Sequence, residues 1–180
     1  MFAKNKIKKY KGVTFLELMV VIAIIGIMTA VALVSLQPAK DDARLKAAQG
    51  EVAASIRLAQ SYALQGKAQA GAKPCGYGFR FDPTDSNKQK YEIFYKVANT
   101  GKDCSDPNYT SFNTVEGYSL KNGVFLNAPV FANTEIYYAI PFGTMYGSNG
   151  SPFLNTTLKV KYLTVEKNIS ITTGGQVIEN

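Results

Sequence analysis

Hydrophobic positions along the chain follow three successive spacings, and each predicts its own kind of element. Residues 18–36 form a run of nineteen uncharged residues, interrupted only by the small hydroxyls Thr29 and Ser35. At 1.5 Å per helical residue the run covers ~28 Å, close to the hydrocarbon thickness of a bilayer, so it is predicted as a membrane-spanning helix. Beyond it, Leu45, Ala48, Val52, Ile56, Ala59 and Ala63 recur at steps of three or four, while Lys46, Gln49, Arg57 and Gln60 fall on other faces. That spacing describes a helix with one apolar stripe, which needs a surface to lie against. Joined, the two stretches predict helix over residues 13–65, ~80 Å long. Pro38 falls near their junction and is expected to bend or loosen the helix, because proline removes a hydrogen bond and crowds the preceding turn. Four glycines and Pro74 within residues 66–78 end it.

Period two then replaces the helical period. Strand-like runs occur at residues 77–81, 91–97, 123–126, 135–140, 157–165 and 168–172, with a short last one at 176–178. DPTDSN, SDPN, KNG and TGG divide them, and TTGGQV at 172–177 is a favourable hairpin connection. A sheet packed on the upper helix stripe gives an α+β fold. Four segments result: 1–12, a basic leader; 13–36, an apolar helix; 37–65, its amphipathic continuation; and 66–180, a β-rich head.

Charge sharpens this division. The chain carries a formal net charge of +7, but Lys4, Lys6, Lys8, Lys9 and Lys11 all precede Gly12, with no acidic residue among them. Without them, 15 basic residues face 13 acidic ones, a balance of +2. The lysines precede the apolar run and the charges after it are mixed, which places the N-terminus in the cytoplasm and the head outside. Cys75 and Cys104 suit an oxidising compartment. As a bridge they would stabilise the head by roughly 3.5 kcal/mol; the alternative is two buried thiols.

Glu17 stands at the head of the apolar run, where a carboxylate is expensive unless paired or hydrated at the membrane interface. Cleavage by signal peptidase within AVALVS, near Ala30, Ala32 and Ser35, is one processing route. Another is a cut after Gly12, which would free an amine on Val13, four positions before Glu17. Amine and carboxylate are then complementary, within one chain or between neighbouring copies.

KGVTFLELMVVIAIIGIMTAVAL closely resembles the N-terminal segment of type IV pilins and type II secretion pseudopilins, with glycine before the cleavage point and glutamate fifth after it. The resemblance covers about the first 36 residues and implies the type IV pilin fold. It further implies a prepilin peptidase cutting between Gly12 and Val13, N-methylation of Val13, and Glu17 directing the subunit into a filament. Two departures are Val13, where phenylalanine is usual, and the absence of proline at Val34, Pro38 being the nearest. The head is similar to minor pilins and pseudopilins of the GspH/FimT type. Other pilin subunits, the peptidase and an inner-membrane assembly platform are the implied partners. The expected location is the inner membrane in a single pass, then an extracellular or periplasmic filament.

Candidate chemistry adds little. The chain has no histidine and only two cysteines, 29 positions apart, so the commonest general base and a closely spaced zinc site are missing; no metal or cofactor is implied and no enzyme is expected. CGYGF is only a fragment of a phosphate loop, and Asp82 and Asp85 in DPTDSN read as a turn rather than a calcium loop. N-x-S/T triplets at Asn108, Asn155 and Asn168 occur readily by chance. Eleven tyrosines and ten phenylalanines, near Arg80, Lys88, Lys90 and Lys96, leave DNA as a second partner class, since some related minor pilins serve DNA uptake. The expected function is a structural subunit of a type IV pilus or pseudopilus. The alternatives are a type II secretion pseudopilin and a DNA-binding minor pilin.

Overall fold

The structure is a computed structural model describing residues 12–69, 71–81, 85, 87–98, 104, 112–127, 135–147 and 155–180. The leader lysines, Asp82 and Asn108 lie outside the described residues. Helix α1, Phe15–Leu64, begins where Thr14 Oγ1 accepts the backbone N–H of Glu17 at 3.2 Å. Thr14 is thus the N-cap, and T-x-x-E is the capping-box pattern. The helix ends at Gly66, whose φ of 57° lies in the left-handed region. There the N–H of Lys67 donates to the Tyr62 carbonyl and that of Gly66 to the Ala63 carbonyl, the two bonds of a Schellman cap. Pro38 lies inside α1, and the helix continues on both sides of it.

The chain divides into two compact units, Met1–Lys40 and Asp41–Asn180. In the first, the apolar side chains of α1 are exposed on every face; Ile22, Ile24, Ile27 and Leu33 are examples. The second unit holds nine described strands: β1 Pro74–Phe81, β2 Lys90–Val97, β3 Phe112–Ser119, β4 Phe125–Asn127, β5 Glu135–Ala139, β6 Thr144–Tyr146, β7 Thr156–Tyr162, β8 Val165–Ile171 and β9 Val177–Glu179. They form two antiparallel sheets, β3-β2-β1-β5-β6 and β4-β7-β8-β9. Two sheets therefore stand where the sequence predicts a single one.

One core joins them to the upper part of α1. Leu45, Ala48, Val52, Ile56, Ala59 and Ala63, the expected stripe, are all buried. They share a core with Tyr77, Phe79, Ile93, Ile136 and Tyr138 of the first sheet and Leu158, Val160, Ile169 and Ile171 of the second. The small residues of the stripe let strands approach the helix closely. The centre of the first sheet is buried on its other face as well, at Phe94 and Tyr137. That packing explains CGYGF: a Cβ at Gly78 would collide with the Phe94 ring and the Ile136 carbonyl, and one at Gly76 with Tyr137 and the Tyr138 carbonyl. These glycines make room for neighbouring strands.

Three strand expectations change. Residues 157–165 are not one strand: β7 ends at Tyr162, the chain turns at 163–164 with Leu163 at φ 51°, and β8 starts at Val165. No glycine, proline or asparagine marks that turn. β3 escapes the pattern because FNTVEGYS is an exposed, polar edge with no apolar alternation. β6 is only three residues long and follows a tight turn through Gly143, φ 65°. The TTGGQV hairpin forms as expected, with Ile171 opposite Val177 and Gly175 at φ 81°.

Candidate functional site

Gly12, Val13 and Thr14 are exposed and non-helical, immediately before α1. The peptide joining Gly12 to Val13 is therefore open, as a protease requires. A Cβ at Gly12 would meet nothing within 4 Å, so the structure itself places no steric demand for glycine there. Val13 is 69% exposed and stands at the N′ position, outside the helix, so it does not share a helical face with Glu17. Glu17 lies in the first turn, exposed, with the helix dipole favouring its charge. Thr14 is the residue that periodicity alone overlooks; its signal is the hydroxyl three positions before Glu17.

In the other unit, Cys75 and Cys104 form a disulfide, with Cα atoms 5.2 Å apart. It anchors the chain at Cys104 to the start of β1. Asp85 accepts the backbone N–H groups of Asn87, Gln89 and Lys90 at 2.7–3.1 Å. Despite partial burial, which opposes it, these bonds hold its carboxyl below the usual value. Its lone pairs serve a turn, and among the described residues no group of three or more His, Cys, Asp or Glu is placed to hold a metal ion.

Residues 7–33 match a family model described as the prokaryotic N-terminal methylation motif. No curated protein matches the chain. Among solved structures, the type IV minor pilin FimU of Pseudomonas aeruginosa is similar in fold. The likeness has a TM-score of 0.51 at 13% identity and covers 78% of this chain and 90% of that one. The chain carries the methylation motif at its N-terminus and has the fold of a type IV pilin. A second crystal form of FimU gives a TM-score of 0.47 at 13% identity, over 76% of this chain and 92% of that one.

The head ties down two of the four cations that stand near its aromatics in sequence. Lys96 is buried and pairs with Glu135 at 2.8 Å, and its ammonium lies 4.8 Å from the ring centroids of both Phe112 and Tyr137. Arg80 pairs with Glu92 and stacks over Phe112 at 4.9 Å. Lys88 and Lys90 are exposed. A second polar network joins α1 to the β7–β8 hairpin. Lys167 and Lys46 contact Asp42 at 3.0 and 3.1 Å, and Lys159 and Lys161 contact Glu166 at 3.0 and 3.3 Å. Lys167, then Lys46, hold the Asp42 carboxyl below its usual 3.8. Lys159, then Lys161, do the same to Glu166, usually 4.5.

Proposed function

We propose that this pilin-like protein is a structural subunit of a type IV pilus or related pseudopilus. A prepilin peptidase cuts between Gly12 and Val13 and methylates the new Val13 amine. The mature chain then leaves the membrane through an assembly platform and packs by α1 among other subunits. The observation that carries this is the coincidence of the methylation motif with an open Gly12–Val13 peptide, directly before a helix whose apolar side chains are exposed on all sides. Lipid satisfies those side chains before assembly and neighbouring helices do so afterwards. Glu17 is costly in lipid and is matched in a filament by the Val13 amine of an adjacent subunit.

Nothing in this role asks for catalysis. As a DNA-binding variant of the same subunit, the head would work with the exposed Lys88 and Lys90, because Arg80 is largely and Lys96 almost wholly buried against the first sheet. A photocrosslinker placed at Ile24 tests the assembly role in cells. Adducts to another pilin helix that depend on the assembly machinery are expected. Adducts unchanged when that machinery is deleted would contradict it.

A further inference from the structure

Leu163 sits at the tip of the β7–β8 hairpin, 68% exposed, at a φ of 51° that side-chain-bearing residues seldom adopt. Val165 beside it is 46% exposed. An apolar side chain held outward at a strained turn is unfavourable in water, where glycine or asparagine would serve the turn better. The surroundings are cationic. Lys159, Lys161, Lys167, Lys46 and Arg44 share the carboxylates of Glu166, Asp42 and Asp41, five positive charges on three negative ones. The tip is also fixed to the helix, since Arg44 donates to the Tyr162 hydroxyl at 3.3 Å and stacks 5.8 Å over its ring. Asp42 follows Leu36, the last residue of the apolar run, by six positions in the sequence, so the network that holds the hairpin is tied to the chain just beyond that run.

We propose that the β7–β8 tip docks on anionic phospholipid headgroups of the leaflet from which α1 emerges. Leu163 enters the acyl boundary while Lys159 and Lys161 meet the phosphates, as amphipathic surface elements do. The contact holds the head against the membrane until the subunit is taken up. It rests on the membrane-spanning reading of residues 18–36.

The chain contains no tryptophan, so a single one reports its own surroundings. Three full-length variants, Leu163→Trp, Phe142→Trp and Ile24→Trp, are reconstituted into vesicles of phosphatidylglycerol or of phosphatidylcholine, with and without brominated acyl chains. Phe142 is 87% exposed on the β5–β6 turn and serves as the water-exposed reference. In phosphatidylglycerol, the bromolipid is expected to quench Leu163→Trp at least twofold while leaving Phe142→Trp unchanged. That quenching should fall when Lys159→Gln and Lys161→Gln are added, or in phosphatidylcholine. Equal behaviour of Leu163→Trp and Phe142→Trp overturns the proposal while Ile24→Trp remains quenched. A blue shift at Leu163→Trp without bromine quenching also overturns it, because a protein surface is then the occupant. Loss of quenching at Ile24→Trp removes the membrane-spanning reading and the proposal with it.

Discussion

At the residue scale, Glu17 has two roles that a single alanine substitution would confuse. It occupies the N3 position of the Thr14 cap, and it supplies the carboxylate proposed to meet a neighbouring Val13 amine. Glutamine keeps the capping geometry and removes the charge. Glu17→Gln is therefore expected to leave the helix and leader cleavage intact and to lower filament incorporation severalfold, read by quantitative blotting of assembled fractions. Thr14→Ala should instead cost about 1 kcal/mol of helix stability with incorporation largely kept. The capping residues all lie after Gly12, so the cap survives the proposed cut. Deeper in the head, Lys96 and Glu135 are both nearly inaccessible, and Glu135→Leu removes the carboxylate that offsets a buried charge. A loss of roughly 3 kcal/mol or more is expected in denaturant titration of the protein.

At the element scale, the β7–β8 hairpin is tied to α1 through the carboxylate of Asp42, and its two strands are linked through Glu166. Both acids are depressed below their usual 3.8 and 4.5, chiefly by the lysines that donate to them. Their contribution is complete above those values and disappears as pH falls through the lower folded ones. The protection of β8 amides relative to their intrinsic exchange rates should thus fall below about pH 4, and Asp42→Asn should show the same weakening at neutral pH. The disulfide acts on a different element, joining Cys104 to the start of β1 across 29 positions. Replacing both cysteines with serine is expected to cost roughly 3.5 kcal/mol in a urea melt, with residues 15–64 still helical.

At the scale of the whole molecule, what was legible in the sequence was whatever repeated locally. The stripe from Leu45 to Ala63 and the nineteen uncharged residues before it declare themselves by period and length, and TTGGQV by its glycines. The β7–β8 hairpin depends on a turn at Leu163 that carries no turn residue, and β3 pairs through its backbone with few apolar side chains to announce it. The pairing of Lys96 with Glu135 spans 39 positions and becomes visible only when β1 brings β2 and β5 to its two sides. At the N-terminal site the order Gly12, Val13, Glu17 is a linear motif, so the sequence carries its spacing in full; the helix start at Phe15 places Val13 outside the helix, which spacing alone did not reveal. The central claim is that the working protein begins at Val13. Intact-mass and N-terminal peptide analysis of the protein recovered from cells expressing its own processing machinery tests it most directly. The expected product lacks residues 1–12 and carries one methyl group on the Val13 amine; an unprocessed N-terminus, or one beginning near Ser35, would overturn the proposal.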